Sequence, residues 1–420
     1  MNGRRAAISL EEAQRRILAL AEPVGTTCIP LREAIGLRLA EALAADAPIP
    51  AFSRAGMDGY ALRAADLTGA APHSPVRLSV VRPAELGHAP GRLQPGEAMR
   101  VGTGGPLPAG ADTVVMQEAV TLETSDNGAQ LAVFLREETA GRHVTAAGSE
   151  AAAGCEVVAA GTRIGPGQAA VLASLGLHMP RVHRRPRVAI VTAGDDIVPI
   201  EAVPRSGEVR NGNLPMLRAL VETAGGSVVR EQHVRDEPAH AGDALRRSLH
   251  EADIVLSSGG ISVGESDVMG ALFREAGAGL LFDKLAIRPG SATAAMQVEG
   301  KPVIGLSGNP GACFAGFELL VRPVLEKMGG GSGRLVWCRA LLAEGSVKSN
   351  AYPRFLRGVA WLEDGLLKAR PCEENSSSGL VSIGQANALL AIPPSNEETR
   401  AGAKIDVRLL PGWEGTLWRK

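Results

Sequence analysis

Between residues 186 and 329, short apolar segments with strand character alternate with segments that have the hydrophobic spacing of helices. Continuous apolar strands that alternate with helices favour a parallel sheet covered by helices on both faces. Ligands of such sheets bind beyond the carboxyl ends of the strands, so the residues that follow each strand are candidates for function. The predicted strands are Val188–Thr192, Ser227–His233, Ile254–Leu256, Leu280–Ile287 and Val303–Leu306, and the predicted helices are Leu214–Ala224, Ala239–His250 and Asn309 to about Lys327.

The remainder of the chain predicts further domains, because 420 residues exceed what one hydrophobic core usually organises. Ser9 and Glu12 form a capping box that begins an amphipathic helix, and Leu31–Leu43 has a second helical pattern. A Gly- and Pro-rich stretch with short β-type runs comes next, and the last segment has strand-like runs but no convincing helix. We predict a multidomain α/β plus β protein with four parts: a discontinuous helical domain (1–46 plus 154–185), a β-rich inserted domain (47–153), a three-layer α/β domain with a parallel sheet (186–329) and a C-terminal β-barrel (334–420).

Charge and composition exclude several classes of partner. The formal net charge is −1, so there is no general electrostatic attraction to nucleic acid or to an anionic membrane. The five cysteines lie far apart and never form a CxxC pair, which predicts neither a zinc site nor a disulfide framework. The amino terminus lacks the apolar core of a signal peptide, and no run approaches 18 apolar residues. We expect a soluble cytoplasmic protein.

The segment SSGGISVGESD, residues 257–267, directly follows the apolar run Ile254–Leu256. Gly259 and Gly260 permit left-handed backbone and carry no Cβ that would keep an anion or a pterin-like ring away. Glu265 and Asp267 are one strand period apart, and paired carboxylates suit a hard cation such as Mg²⁺. The alternative is an ordinary connection between a strand and a helix, so the context of the segment has to decide.

Other strand ends carry further charged and polar side chains. Asp195, Asp196 and Asp236 follow strands of the same sheet, where clustered carboxylates need a cation or are simply solvated loop acids. Lys284 and Arg288, in KLAIRPG, could hold a phosphate or another oxyanion, or could be an ordinary surface pair. Ser307-Gly308-Asn309-Pro310 begins a helix, whose free N–H groups form an anion site unless Asn309 is only an N-cap.

Two glycine-rich turns in the β-rich stretch are candidates as well. Asp58 lies in Gly56-Met57-Asp58-Gly59-Tyr60, from which a carboxylate could reach a metal or a phosphate-bearing partner. Thr103 lies in Gly102-Thr103-Gly104-Gly105-Pro106 and offers a hydroxyl group from a tight loop. Either residue could instead only stabilise its turn.

Seven ordered segments carry a resemblance to a known family. They are PAFSRAGMDGYAL, RVGTGGPLPAGADTVVMQE, ASLG, VAIVTAGDD, SSGGISVGESD, KLAIRPG and GLSGNPGACF. In this order and over nearly the whole chain, they resemble the MoeA-type molybdopterin molybdenumtransferases, the family of the gephyrin E domain. Residues 186–329 are also similar to the molybdopterin-binding domain of the molybdopterin adenylyltransferases.

The resemblance implies a reaction and an assembly. Members of the family take adenylated molybdopterin and molybdate, hydrolyse the adenylate in a Mg²⁺-dependent step, and release molybdenum cofactor with AMP. They are elongated homodimers, in which each active cleft lies between the α/β domain of one protomer and the β-rich domain of the other. Transient contact with a molybdopterin adenylyltransferase and with molybdoenzyme clients is also implied, whereas molybdate and tungstate remain undistinguished.

The resemblance also assigns residues to roles. Metal ligands are implied at Asp196, Asp236 and Asp267, which match acidic residues of the family. Molybdate would be held by Lys284, Arg288 and Ser378, and the backbone of residues 258–260 would take the pterin or its phosphate. The implied catalytic residues are Asp58, Thr103, Asp236, Asp267, Lys284 and Arg288, and the implied pterin- and substrate-binding residues are Ser258, Gly259, Gly260, Ser262, Ser307, Asn309, Pro310 and Ser378.

Several positions depart from the family pattern. Thr145 to Glu150 replaces an arginine-rich stretch, Ser291-Ala292 replaces Lys-Pro, and Ala351-Tyr352 replaces Gly-Arg. An Asp-Ser/Thr-Asn signature is represented by Asn211-Gly212-Asn213. Most of these changes remove positive charge, although the ligands of the family are anions. Three hypotheses follow: a molybdenum-inserting enzyme, a divergent paralogue that binds or delivers molybdopterin or finished cofactor, and a different nucleotide hydrolase.

Overall fold

The structure is a computed structural model, and it describes residues 6–81, 91–235, 238–259 and 279–412. Among the predicted site residues, Asp236, Gly260, Ser262 and Asp267 lie outside these ranges, and so does Glu265. The chain forms two compact units. The first contains residues 1–41, 161–173 and 177–420, and the second contains residues 42–160 and 174–176.

A six-stranded mixed sheet is the centre of the first unit. Four of its strands are parallel, as the alternating apolar runs predict, and the two strands at one edge are joined by antiparallel pairing, because Ala294–Val298 runs opposite to both of its neighbours. The predicted α/β fold is thus confirmed, although its sheet is not parallel throughout. The order across the sheet is Ser227–Val234, Arg187–Ala193, Ile254–Ser258, Lys301–Leu306, Ala294–Val298 and Gly279–Phe282.

Helices cover both faces of this sheet because alternate residues of each strand point to opposite sides. Val188 and Ile190 belong to one hydrophobic core, together with residues of the helices Leu10–Leu18, Asn213–Thr223 and Pro310–Gly316. Ala189 and Val191 belong to a second core, which includes Leu245 and Leu249 of the helix Pro238–Glu251. The three-layer arrangement is therefore confirmed.

The helices of the first unit differ from the predictions in length. Ser9 caps the first helix, accepting a 3.2 Å hydrogen bond from the Glu12 main-chain N–H. The second helix contains only Leu31–Ala34, so the prediction of a helix over 31–43 is wrong beyond Ala34; Gly36, in the left-handed region at φ +85°, turns the chain there. After Pro310–Gly316 the helix continues through a π-helical turn, Phe317–Val321, into Arg322–Met328.

The predicted C-terminal β-barrel is confirmed and closes with five strands. Its core contains Leu356, Ala360, Leu390 and Val407. A short helix, Val381–Gln385, follows a serine-rich loop, where the sequence predicts no helix. In order around the barrel the strands are Cys338–Leu342, Leu366–Pro371, Arg354–Glu363, Ala388–Ile392 and Lys404–Leu409.

The second unit is built on another six-stranded sheet, whose core contains Tyr60, Leu62, Leu78 and Phe134. The β-type runs of the sequence form strands here, as predicted. In order the strands are Thr113–Met116, Gly59–Leu62, Glu97–Val101, Val76–Val81, Gln130–Phe134 and Thr121–Thr124.

Short elements complete the described chain. The paired strands are Thr26–Cys28 with Arg181–His183, Leu43–Ala44 with Glu156–Val158, Arg54–Ala55 with Val144–Thr145, Ile197–Val198 with Val209–Arg210, and Ser346–Val347 with Thr399–Arg400. The remaining helical elements are Ala64–Leu67, Gln117–Ala119 and Pro166–Ser174. Over the described residues, we find no helix with the length and apolar character needed to cross a membrane.

Candidate active site

A buried asparagine joins two of the loops at the carboxyl edge of the central sheet. The Nδ2 group of Asn213 donates hydrogen bonds to Ser258 Oγ and to the Gly308 carbonyl oxygen, each at 2.8 Å. The Ser258 hydroxyl in turn donates to the Ser307 carbonyl oxygen at 3.2 Å. The residues after the strands Ile254–Ser258 and Lys301–Leu306 are therefore held together as one polar platform.

Gly259 is the position on this platform where glycine is required. Its φ is +80°, and a Cβ at this residue would lie 2.4 Å from the Ala193 carbonyl oxygen. The Gly259 N–H donates to the Leu306 carbonyl oxygen at 3.2 Å, so it serves the packing of the strand ends. The absence of a Cβ thus permits a close approach to Gly259, as the sequence predicts, but the group that approaches it is the end of the strand Arg187–Ala193.

A second asparagine, Asn211, forms hydrogen bonds at the same edge of the sheet. Asn211 Nδ2 donates to Thr192 Oγ1 at 2.8 Å, and that hydroxyl lies 3.2 Å from Nδ1 of His233. Asn211 Oδ1 also accepts from the Leu214 N–H at the start of the following helix, at 3.2 Å. The Asn211-Gly212-Asn213 segment is therefore a brace for three strand ends, a role that sequence reasoning missed.

The predicted metal ligands can be placed only in part. Asp196 is exposed and follows the strand Arg187–Ala193, whereas Asp236 and Asp267 lie outside the described residues. Within the described ranges, no group of three His, Cys, Asp or Glu side chains could hold a metal ion. The strands that precede the three carboxylates in the sequence are parallel and adjacent in the sheet.

Asn309 and Pro310 occupy the N-cap and first positions of the helix Pro310–Gly316, as predicted, but the Asn309 side chain makes no capping hydrogen bond. Instead its main-chain N–H donates to Ser307 Oγ at 3.2 Å. The Ala312 N–H donates both to the Asn309 carbonyl oxygen and to that of Ser377, each at 3.1 Å. A loop of the barrel therefore contacts the first turn of this helix.

A fully buried arginine of the barrel holds that serine-rich loop. Arg357 donates from Nε to Ser382 Oγ and from Nη2 to the Ser376 carbonyl oxygen, each at 2.8 Å. Burial lowers the pKa of the Arg357 guanidinium. Ser378 is exposed on the loop, and its hydroxyl oxygen lies 3.2 Å from that of Ser376.

Lys284 and Arg288 are both exposed on the segment that follows the edge strand Gly279–Phe282. The Arg288 guanidinium carbon lies 5.4 Å from the centre of the Tyr352 ring, within range of a cation–π interaction. The Arg288 main chain donates to Pro353 O at 3.0 Å and accepts from the Phe355 N–H at 2.8 Å. Tyr352, which stands where the family pattern has an arginine, therefore orients the Arg288 guanidinium but carries no positive charge itself.

In the second unit, Asp58 and Thr103 come together from two separate turns. The Asp58 Oδ1 atom accepts hydrogen bonds from the Thr103 main-chain N–H at 2.6 Å and from its hydroxyl at 2.8 Å. These two bonds, in that order of importance, lower the pKa of the Asp58 carboxyl, and the Arg100 charge adds to the effect. Asp58 is thus held as an exposed, ionised carboxylate.

Replacing Thr103 with valine tests this pair. We expect the pKa of Asp58 to rise and yet to stay below its ordinary value, because the main-chain N–H remains. The carboxylate stabilises the fold above the unfolded pKa, and this contribution is lost as the pH falls through the folded pKa, which the substitution moves upward. A carboxyl-detected NMR titration measures the shift, with Asp58→Asn identifying the resonance. An unchanged pKa would contradict the role of the hydroxyl, and Thr124→Val, an exposed threonine of the same unit, is the matched control.

Replacing Asn213 with leucine tests the platform. The change keeps the branched shape of the side chain but leaves the Gly308 carbonyl and the Ser258 hydroxyl without their donor, so we expect the free energy of unfolding to fall by about 1–3 kcal/mol. Equilibrium urea denaturation measures it. The control is Asn396→Leu, since that asparagine is exposed. Equal effects of the two substitutions would refute the bracing role.

Three family models match successive parts of the chain. They are described as the MoeA N-terminal region (domain I and II), over residues 8–176, a probable molybdopterin binding domain, over residues 189–327, and the MoeA C-terminal region (domain IV), over residues 339–410. The class is therefore that of proteins built around a molybdopterin-binding α/β domain.

Full-length relatives define the family within that class. Molybdopterin molybdenumtransferase of Bacillus subtilis is 32% identical over 417 residues, which cover 99% of this chain and 97% of that protein. The Staphylococcus aureus enzyme of the same name is 33% identical over 404 residues, or 96% and 95% of the two chains. The molybdopterin biosynthesis moeA protein of Pyrococcus horikoshii superposes with a TM-score of 0.82 at 30% identity, covering 96% of this chain and all of the other. The chain belongs to the MoeA family of molybdopterin molybdenumtransferases, which are transferases of molybdenum cofactor biosynthesis.

Proposed function

We propose that this protein catalyses the Mg²⁺-dependent insertion of molybdate into adenylated molybdopterin, with release of AMP. The observation that carries the proposal is the polar platform at the carboxyl edge of the sheet, where Asn213 joins Ser258 to Gly308. Ligands of open α/β sheets bind at this edge. Relatives that are molybdopterin molybdenumtransferases along the whole chain support the choice of substrate.

The platform would bind the pterin end of the substrate. Ser258, Gly259, Ser307, Asn309 and Pro310 lie at its surface and would contact the pterin. Gly260 and Ser262, which are outside the described residues, remain part of the proposed binding set. Gly308 and Asn309 are exposed, so their polar groups are accessible to a ligand. Because Asn213 and Ser258 fix the two loops beforehand, little conformational entropy would be lost when the substrate binds.

Molybdate, the anionic second substrate, would be bound by two basic side chains and by the serine-rich loop. Arg288 is oriented over Tyr352, and Lys284 is exposed on the same segment. Ser378 offers a hydroxyl from the loop that Arg357 holds in place. These three residues would bind molybdate close to the sulfur atoms that receive the metal.

Asp196, Asp236 and Asp267 would hold Mg²⁺ at the ends of three neighbouring strands. The bound ion would neutralise phosphate charge and polarise the pyrophosphate bond that water attacks. Asp58 and Thr103 would complete the site from the β-rich unit of the partner protomer in a homodimer. The Asp58 carboxylate, ionised by its hydrogen bonds from Thr103, would then orient the attacking water. We further propose that the protein acts in the cytoplasm, receives its substrate from a molybdopterin adenylyltransferase and passes cofactor to molybdoenzymes.

A specific observation favours a second function, namely a paralogue that binds or delivers molybdopterin or finished cofactor without turnover. Two positions where the family pattern has a cation are occupied by neutral residues with structural contacts. Tyr352 lies against Arg288, and the Ser291 hydroxyl donates to the Leu285 carbonyl oxygen at 2.8 Å. Each missing charge-assisted hydrogen bond would weaken anion binding by roughly 1.5–3 kcal/mol.

One assay separates these functions. Purified protein is given adenylated molybdopterin, molybdate and Mg²⁺, and AMP release is measured together with reconstitution of an apo-molybdoenzyme. Release of AMP with formation of active cofactor supports the enzyme, whereas tight pterin binding without AMP supports the carrier. AMP release that does not depend on molybdate and yields no cofactor would indicate a nucleotide hydrolase instead.

A further inference from the structure

A cavity of about 410 Å³ lies at the opposite end of the central sheet from the platform. Arg184 and Arg185, which line it, precede the strand Arg187–Ala193, and Thr223–Gly225 precede the parallel strand Ser227–Val234. The cavity is therefore at the amino ends of these strands. A seven-residue strand rises about 3.3 Å per residue, so roughly 20 Å separate the cavity from the carboxyl edge.

The lining of this cavity is strongly basic in a chain whose net charge is −1. Glu326 is the one acidic residue among the described residues of the lining, and it forms a 2.8 Å ion pair with Arg38. His183 also lines the cavity, and its Nδ1 atom is buried without a hydrogen-bond partner among the described residues. The lining arginines are Arg38, Arg163, Arg184, Arg185, Arg322 and Arg408.

Two of these arginines share one buried carboxylate. Glu318 accepts from Arg322 at 2.6 and 2.7 Å and from Arg408 at 3.2 and 3.3 Å, and its side chain is fully buried. Both guanidiniums are nearly buried, with side-chain exposures of 9% and 11%. Six guanidinium charges thus face two carboxylates, which leaves an excess of about four positive charges. One of these excess charges is nearly buried, because Arg322 and Arg408 share the single carboxylate of Glu318. Burial of uncompensated charge is costly, and a bound anion would offset that cost.

Two further arginines are exposed and have guanidinium donors to spare. The side chain of Arg163 makes one hydrogen bond, from Nε to the Gly36 carbonyl oxygen at 3.1 Å. Within the described part of the chain, Arg185 makes no hydrogen bond or ion pair. Planar guanidinium groups with unused donors match phosphate oxygens in pairs.

The lining also limits the kind of anion. Among the described residues that line the cavity there is no Phe, Tyr or Trp, so the small imidazole of His183 is the one aromatic ring on which a nucleobase could stack. The volume is at the lower end of the range for small-molecule pockets. We propose that this cavity is a binding site for a compact polyphosphate, of the size and charge of pyrophosphate, in addition to the site at the carboxyl edge.

Pyrophosphate binding to the full-length protein tests the proposal, with calorimetry for affinity and thermal unfolding for stabilisation. We expect one site whose affinity falls at least about tenfold in the variant Arg163→Gln/Arg185→Gln, because two exposed guanidiniums with free donors are removed. The increase in melting temperature caused by pyrophosphate should be lost in that variant, whereas the melting temperature without ligand should change little. Binding should also weaken with rising salt concentration.

Matched variants separate this site from others. Arg205→Gln/Arg210→Gln removes two exposed arginines, of which Arg210 likewise makes one main-chain contact, to Ala202 at 2.9 Å, and should leave the affinity unchanged. Lys284→Met/Arg288→Met should retain binding too, and a loss there would overturn the proposal by placing pyrophosphate at the carboxyl edge. Unchanged affinity in Arg163→Gln/Arg185→Gln, or tighter binding of ADP than of pyrophosphate, would also overturn it. The AMP-release assay is independent of all these outcomes.

Discussion

Replacement of Glu318 with glutamine is expected to lower the free energy of unfolding by about 3–5 kcal/mol. The substitution keeps the shape of the side chain and removes the charge that Arg322 and Arg408 share. Both guanidiniums would then remain nearly buried without a counter-ion, and the loss of one partner from a buried ion pair is among the largest single-residue effects on stability. Equilibrium urea denaturation measures the change.

The exposed ion pair of the same unit is the control. Glu222 is paired with Arg218 at 3.3 Å, and both side chains are about half exposed. Glu222→Gln should therefore change the free energy of unfolding by less than about 0.5 kcal/mol. Adding Arg408→Met to Glu318→Gln should recover part of the loss, because one uncompensated charge is removed. If the two glutamate substitutions had the same effect, the buried triad would not be the stabilising element described above.

Replacement of Asp267 with asparagine is expected to lower the rate of AMP release about 100-fold or more under the proposed function. Asp267 follows the strand Ile254–Ser258 in the sequence. That strand pairs with Arg187–Ala193, which precedes Asp196, and Arg187–Ala193 pairs in turn with Ser227–Val234, which precedes Asp236. Asparagine keeps the volume and loses the negative charge, so the affinity of this edge for Mg²⁺ should fall. Steady-state AMP release over a Mg²⁺ titration measures the effect.

Pterin binding provides the internal control for this substitution. The affinity of Asp267→Asn for molybdopterin should stay close to that of the unchanged protein, because the platform of Asn213, Ser258 and Gly308 is intact. Glu201→Gln is the matched variant, since Glu201 is an exposed acid of the same unit and has no proposed role. Unchanged AMP release in Asp267→Asn would remove this residue from the metal site.

The architecture of the α/β domain was predictable because its signals are local and repeated. Apolar runs such as Val188–Thr192, bounded by helical patterns, leave few alternatives to a covered parallel sheet. The antiparallel strand Ala294–Val298 was missed, although it joins its neighbour through a two-residue turn. Glu299 and Gly300 both have positive φ, 52° and 78°, as a type I′ hairpin requires. Glutamate at the first of these positions is an uncommon choice, so the sequence signal was weak.

Contacts between distant segments could not be predicted from local patterns. The pairing of Asp58 with Thr103 spans 45 residues, and two glycine-rich turns do not reveal that they meet. Arginine is rarely buried, yet Arg357 is fully buried beneath the serine-rich loop. Asn213 reads as a departure from a family signature, and only the sheet order shows that it bridges two strand ends. In each case the tertiary fold, and not the residue type, decides the role.

The hydrogen bonds between the barrel and the α/β domain have a consequence for local opening of the protein. The Arg288 N–H donates to Pro353, the Phe355 N–H to Arg288, and the Ala312 N–H to Ser377, so main-chain groups pair across the boundary at three points. Phe355 is also buried in the core of the α/β domain. The amide protons of these three residues should exchange with solvent at similar slow rates, because none can be released without separating barrel from sheet. The three contacts would then break together, in one cooperative separation of the barrel from the sheet.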